Sequence, residues 1–539
     1  FNPGNEDYQE NTFLDMFIFQ AGAKNSKPIH SLEDLDEVME LSIKSMTPDK
    51  DKKRDNSNNN YLESNTQQKF ALLEDAYRRG DLDQIDSLSK ADNPTEVYHH
   101  YFIVERNINM VERMDSIMQD HSIFTGIGAA HLPGDQGAIQ LLREMGYTVR
   151  PIAPKSTGKS HKMRKKLEGL YKSVSFTPTQ TSDKFITVST PGELYEMPTY
   201  LRGKMEYLCP EPINGGYFSI IRLFTYAPIF NKSPDYYRAT FDSLLYIATP
   251  GEMMKKEAIT VNGHEGYNIL TKTSKNAFVN YNVFFTPTEI IVFKGSGIDN
   301  YIQKTEPQSF FNKISLQNKS SAWRDVSPLY GGAKWQMKGL VSGQDMITGM
   351  DEDMIDPFYQ SFDDASKGYY QVLRYGLNDL DFIEEDSFDL AYLGKKYADQ
   401  FGYEVTTSTY TTHGNYPFVR QDLTPDKDHS MNNQNLSLKI LTRAGSYYLM
   451  ASTADEEDKN KFFDSFEFTD FILDNEYEIY TDSALLYTVN THKRPDKPDY
   501  NAMSLSLYND YYQTDDEEDD SYLGGTNTRM HYSVKSDES

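Results

Sequence analysis

Cysteine is almost absent: Cys209 stands alone in 539 residues. That excludes a disulfide framework and any all-cysteine zinc site. Tryptophan is nearly as scarce, with two residues. No apolar run approaches the roughly 18–20 residues that a membrane-spanning helix needs. Basic side chains are in deficit, 54 Lys and Arg against 81 Asp and Glu, and the formal charge is −27. Nucleic acid and anionic membrane surfaces are therefore poor partners. The opening residues, Phe1-Asn2-Pro3-Gly4-Asn5, have no methionine, no basic stretch and no apolar core, so they are no signal peptide. The chain reads as a window onto a longer protein.

What is present narrows the class. The hydrophobic share is 38% and the aromatic share 13%, with 39 Tyr and 30 Phe, which excludes a wholly disordered chain. At about 100–200 residues per domain the length predicts three or four domains. Residues 13–45 read as helix, short strand, helix, and 47–66 as a polar insertion with little to bury. From Gln67 to Met118 the pattern is helical, with Phe70, Leu72, Leu73, Ala76 and Tyr77 as one apolar stripe. Ser122–Ile127 then reads as a strand, Gly128–Pro133 as a turn, Gln136–Met145 as a helix and Tyr147–Ile152 as a second strand. That order predicts an α/β first domain with a partly parallel sheet.

Beyond a locally basic linker at 153–175 the texture turns β-rich, and a cadence recurs. Residues 264–316 and 413–468 each begin with His-x-x-Tyr, pass through paired strands and end in a Phe-Phe helix. His264 to Phe310 spans 46 residues and His413 to Phe462 spans 49, which predicts a tandem duplication. The expected organisation is a first domain over 1–152, the linker, α+β modules with antiparallel sheets over 176–316 and 317–470, and a third module or acidic tail over 471–539.

Gly128-Ala129-Ala130-His131 follows the predicted strand and precedes the helix. A histidine so placed can ligate a metal or move a proton. The other histidines lack metal spacing: His99 and His100 are adjacent and diverge on a helix. His264 and His413 read as equivalent turn positions. Ala153–Ser160 (APKSTGKS) matches a loose P-loop, but the stretch after it is charged almost all round and fits a linker better. Asp515–Asp520 reads as a solvated acidic run.

The ordered series Leu14-Asp15, Leu32-Glu33, Arg106-Asn107 with Met110, Gly128-x-x-His131-Leu132-Pro133-Gly134, Leu141-Leu142 and Gly146-Tyr147 resembles the TraB/PrgY/GumN family, which includes the Tiki proteins. The resemblance implies a metal-dependent, peptidase-like hydrolase. It implies His131 as a metal ligand, to an ion such as Mn, Co or Zn, and Glu33 and Arg106 as catalytic residues. The family carries two GxxH motifs and this chain holds only the second, so the resemblance implies a domain lacking its N-terminal part and an incomplete, weakly binding site. More loosely, Phe185–Gly192 and Phe462–Phe466 resemble PsbP/Mog1-type modules, which imply binding units for protein or peptide partners. Three functions stay open at this point: a hydrolase with binding modules, a non-catalytic scaffold or interaction subunit in a bacterial envelope assembly, and a peptide-binding inhibitor, as the pheromone-shutdown branch of the family would imply. The expected location is the periplasm, the outer-membrane surface or the exterior.

Overall fold

The computed structural model describes residues 14–46, 66–92, 95–152, 158–197, 203–239, 251–273, 277–298, 300–328, 331–343, 359–376, 385–426, 434–443, 446–471, 478–482 and 487–491. The polar insertion at 47–65, the start of the P-loop-like stretch at 153–157 and the acidic run Asp515–Asp520 lie outside these residues. The chain is α/β, with helices and several separate sheets, and divides into residues 17–169 with 475–539, and 1–16 with 170–474.

The first unit is helical among its described residues up to 169. It holds α1 (Leu14–Lys24), α2 (Leu35–Met46), α3 (Thr66–Arg79), α4 (Leu82–Asp92), α5 (Glu96–His99), α6 (Glu105–Met118), α7 (Ala138–Glu144) and α8 (Lys159–Glu168). Thr95 caps α5 by accepting from the Tyr98 amide at 3.0 Å, which satisfies one orphan donor of the first turn. Pairs four residues apart, Glu74–Arg78 and Asp75–Arg79, support α3. α6 buries Asn107, Met110, Val111 and Met114 on one face, the 3–4 spacing of an amphipathic helix. In α3 only Ala76 of the predicted stripe is buried; Phe70, Leu72, Leu73 and Tyr77 are exposed.

The parallel sheet expected here is not formed among the described residues. Residues 122–127 and 147–152 join no ladder, and Leu32-Glu33 lies in a loop rather than a strand. The local pattern at 122–127 is still that of a strand: Ile123, Thr125 and Ile127 are half-buried while Ser122, Phe124 and Gly126 are exposed. A strand, however, is completed only by a neighbour's backbone, and no described residue up to 169 pairs with it. Residues Glu478–Asp482 and Tyr487–Thr491 pair as an antiparallel hairpin.

The second unit repeats one architecture. Strands β1 (Thr177–Gln180), β2 (Ile186–Thr190) and β10 (Ser315–Leu316) make a small sheet. Beside it runs a seven-stranded sheet of β3 (Tyr195–Met197), β4 (Lys204–Glu211), β5 (Gly216–Phe224), β9 (Glu289–Ser296), β8 (Phe278–Phe285), β7 (His264–Lys272) and β6 (Glu252–Val261), in that spatial order. The second half sets β11 (Trp323–Val326), β12 (Gly331–Lys338) and β20 (Glu467–Phe471) together. Its large sheet runs β13 (Leu340–Gly343), β14 (Tyr359–Phe362), β15 (Tyr369–Gly376), β19 (Ser446–Ser452), β18 (Leu436–Arg443), β17 (Tyr416–Pro425) and β16 (Tyr403–His413). Strand for strand, the two orders are the same, and every described pairing is antiparallel.

Helices α9 (Thr305–Asn312) and α11 (Glu456–Asp464) close the two halves, and each buries its adjacent phenylalanines, Phe310-Phe311 and Phe462-Phe463. Two neighbouring rings on a helix cover a broad arc that only a sheet face hides. α10 (Asp386–Gln400) covers the opposite face of the second large sheet. The halves interlock: Ile229 is fully buried in the second core, and its carbonyl accepts from Tyr403 at 3.1 Å.

The two histidines of the cadence are not equivalent. His264 opens β7 opposite Val261, after the Asn262-Gly263 turn, whereas His413 closes β16 opposite Tyr416, before its turn. Tyr416 is thus the counterpart of His264. Both Asn262 and Gly263 have positive φ, 51° and 79°, as a type I′ hairpin requires.

Candidate active site

The site is built on α6 and on the turn that carries His131. The segment from α5 to α6 is interrupted at His100–Val104 by a π turn, which ends immediately before Glu105-Arg106-Asn107. Such single-turn widenings are found often at functional positions. The Arg106 guanidinium lies over the Phe102 ring at 5.0 Å and donates to the Phe102 carbonyl at 3.2 Å. Its other nitrogens grip Glu33, Nε to Oε1 at 2.7 Å and Nη2 to Oε2 at 3.1 Å. This two-point contact is the geometry in which arginine binds a carboxylate most strongly. Two helical turns further, Arg113 donates to the Leu32 carbonyl at 2.9 Å and to Glu37 at 2.6 Å. Two arginines of α6 therefore hold the loop that bears Glu33.

Residues Ala129–His131 form a short 3₁₀ turn, closed by the His131 amide on the Gly128 carbonyl at 3.0 Å. The chain then folds back so tightly that a Cβ at Gly137 would stand 2.0 Å from the Pro133 carbonyl oxygen. Glycine alone fits there. The fold-back delivers the Gln136 carbonyl to Asn107, whose Nδ2 donates to it at 2.8 Å. A carbonyl can only accept, so this contact fixes which end of the Asn107 amide is nitrogen. Its Oδ1 then faces His131 Nδ1 at 2.8 Å and must accept from it. The proton of the neutral imidazole therefore sits on Nδ1, and Nε2 carries the lone pair.

Electrostatics reinforce that state. Burial, and then the Arg106 guanidinium, hold His131 below the ordinary histidine value, with Glu33 opposing. The hydrogen bond from Arg106 holds Glu33 below the usual carboxylate range, against a contribution from burial. His131 is thus a neutral imidazole with a free lone pair, beside a carboxylate whose two oxygens are both engaged. Of the residues expected from sequence, Arg106 meets Glu33 directly, and both act electrostatically on His131. Glu105 and Asp115, acidic neighbours of Arg106 in the sequence, are engaged elsewhere, with His100 at 3.1 Å and Tyr147 at 2.6 Å. Asn107 and Arg113 were not expected. A polar residue on the buried stripe of α6 was the available signal for Asn107.

The model of the TraB/PrgY/gumN family matches residues 3–151. Over these residues the chain is similar to that family. The family segment contains Glu33, Arg106, Asn107 and His131; the tandem sheets lie beyond it. No curated protein matches the chain. Among solved structures, PsbP of Synechocystis sp. PCC 6803 is similar at 11% identity and a TM-score of 0.22, covering 28% of this chain and 94% of its own. The immunity protein TplEi of the T6SS from Pseudomonas aeruginosa is similar at 10% identity and a TM-score of 0.15, covering 54% of this chain and 97% of its own. Likeness at that level carries no functional weight.

Proposed function

We propose that the family segment is the hydrolytic part of a peptidase-like enzyme of TraB/PrgY/gumN type, and that the tandem modules bind its protein or peptide partners. The observation that supports this most is the tautomer imposed on His131. A general base needs an unprotonated nitrogen aimed away from its own support, and Asn107 leaves Nε2 in that state. Arg106 acts electrostatically on His131, and a substrate that displaces Glu33 from it would find a guanidinium suited to a carbonyl that gathers negative charge.

The family resemblance implies a divalent metal, and the donor set does not fit one. Of the residues brought together at this site, His131 offers the one nitrogen ligand. Glu33 is clamped through both oxygens by a guanidinium that repels a cation. No group of three His, Cys, Asp or Glu converges among the described residues, whereas a catalytic ion takes three protein ligands and an open position. Calorimetric titration of the chain with Mn²⁺, Co²⁺ and Zn²⁺ is expected to show no micromolar site. Micromolar binding abolished by His131→Ala would overturn this donor count.

The closed Arg106–Glu33 pair favours a second reading, a non-catalytic scaffold of an envelope assembly in which the ion pair ties the 29–34 loop to α6. The two readings separate on turnover of a fluorogenic peptide pool by the full chain. The hydrolase reading expects activity that falls by about 10²–10⁴-fold in His131→Ala. Equal, background turnover by both proteins would leave the scaffold.

A further inference from the structure

The two large sheets end in comparable edge strands that differ in one property. β6, with the sequence Glu-Met-Met-Lys-Lys-Glu-Ala-Ile-Thr-Val, carries Glu252, Lys255, Lys256 and Glu257. Charges of this kind are how natural sheets keep an edge from pairing with another chain. β16 occupies the same place in the second sheet; it shares the bulge of β6, here at Thr406, but not the charges. From 406 to 412 it reads Thr-Thr-Ser-Thr-Tyr-Thr-Thr, seven residues without a charge, a proline or a glycine, and all seven are exposed. Five of the seven are threonines, and β-branched residues suit a pleated strand.

We propose that β16 is a self-association edge, on which a second copy of this chain adds its own β16 antiparallel to the first. Three observations select a second copy over another partner. The segment reads almost the same in both directions, as a two-fold, self-complementary contact requires. Centred on Thr409, the pairs are Thr406 with Thr412, Thr407 with Thr411, Ser408 with Tyr410, and Thr409 with itself, so no charge faces another. Two chains of formal charge −27 repel at most approaches, and an uncharged edge is where that repulsion is smallest. A partner of opposite charge would find nothing on 406–412 to pair with.

Seven paired residues alone bury less than the roughly 1,200–2,000 Å² of a stable interface. Exposed aromatics flank the edge and extend it. α10 packs on β16 and β17, with Gln421 of β17 donating to the Ala391 carbonyl at 3.1 Å. On α10, Phe388 and Tyr392 stack at 6.0 Å and are 56% and 50% exposed, and Tyr410 of β16 is 49% exposed. The dimer would join two seven-stranded sheets into one continuous sheet, with α10 of each copy on the adjoining margin.

Sedimentation velocity of the full chain across the micromolar range tests this. The wild-type chain is expected to show a concentration-dependent monomer–dimer equilibrium. Thr409→Lys, which sets like charges on the two-fold axis, is expected to weaken it at least tenfold, and Tyr410→Pro, which removes a donor that faces away from β17, to do the same. Ala258→Lys on β6 is the control and should leave it unchanged. In Thr409→Cys the two introduced thiols meet across the axis, with Cβ atoms about 4.5–5.5 Å apart, and mild oxidation should yield a covalent dimer. Unchanged circular dichroism confirms that each variant is folded. A monomeric wild type at every concentration, or a dimer that survives both Thr409→Lys and Tyr410→Pro, would overturn the assignment.

Discussion

Asn107 accepts a hydrogen bond from His131 Nδ1 at 2.8 Å while its own nitrogen is pinned to the Gln136 carbonyl, also at 2.8 Å. One buried amide thus joins α6, the histidine turn and the glycine fold-back. Asn107→Ala strands the Gln136 carbonyl and frees the ring, and is expected to destabilise by about 1–3 kcal/mol. Asn107→Asp keeps an acceptor for Nδ1–H and adds a negative charge, so His131 should titrate higher than in the wild type. ¹⁵N NMR titration of the imidazole reads both the tautomer and the shift. In the wild type the native value lies below that of the unfolded chain, so protonation favours unfolding. Stability should therefore fall as pH drops from the ordinary histidine value near 6.5 toward the depressed native one. Nδ1 found unprotonated at neutral pH would refute the tautomer assignment.

The Arg106–Glu33 pair makes a separate prediction, with the opposite kind of proton linkage. Glu33 titrates lower in the folded chain than in the unfolded one, so the pair's contribution is complete above the ordinary carboxylate value. It disappears as pH falls through the depressed one. The side chains are 15% and 31% exposed, and a coupling of about 1–2 kcal/mol is expected from a double-mutant cycle of Glu33→Gln and Arg106→Met. Arg106→Lys should recover little of it, because an ammonium cannot make the two-point contact. A coupling near zero would mean that the 29–34 loop is held by Arg113 alone.

These contacts show what one chain of letters reveals and what it hides. Phe310-Phe311 and Phe462-Phe463 were readable because adjacent rings on a helix can be hidden in few ways. Glu33, Arg106 and His131 were readable only as members of an ordered motif; nothing local says that residues 73 positions apart form an ion pair. Asn107 was passed over because its partners lie 24 and 29 residues downstream. The supposed equivalence of His264 and His413 failed for a geometric reason: counting letters from a His-x-x-Tyr pattern ignores which side of the hairpin turn each residue occupies. Residues 122–127 have the alternation of a strand, but pairing belongs to the neighbour, and alternation cannot supply one.

In the first tandem half, Arg222 makes a sharper stability prediction. It donates from Nε and Nη2 to Glu289, both at 2.7 Å, and from Nη1 to Asp183 at 2.5 Å, with its guanidinium 4.8 Å from the centre of the Phe185 ring. Arg222 and Glu289 are both fully buried. Removing one partner leaves a charge with no water to solvate it, so Arg222→Met is expected to destabilise by about 3–5 kcal/mol. Replacing both, as Arg222→Met with Glu289→Leu, should recover a large part of that loss. Denaturant midpoints of the single and double variants check it, and a double variant no better than Arg222→Met would show that packing dominates the site.

Lys439 makes the last prediction. It lies on β18, only 3% exposed, with Nζ donating to the Phe463 carbonyl at 2.6 Å and standing 3.2 Å from His413 Nδ1. The carbonyl belongs to the last turn of α11, where the helix presents unpaired acceptors and a partial negative charge. That contact and Asp464 favour the ammonium; burial, the larger effect, and Arg420 oppose it, and the group is pushed down to about 8. The sign follows directly. Below pH 8 the lysine is protonated folded and unfolded, and the burden of the buried charge is complete. Between about 8 and 10.5 the folded chain releases the proton first, so stability should rise by on the order of 3 kcal/mol across that window. Lys439→Met keeps the stem's packing, abolishes this rise and leaves the Phe463 carbonyl without its donor. Other groups titrate in the same range, so the quantity to measure is the difference in unfolding free energy between wild type and Lys439→Met at pH 7, 8, 9 and 10. A difference that stays constant with pH would show that Lys439 keeps its proton in the folded chain, and that the helix end, not burial, governs it.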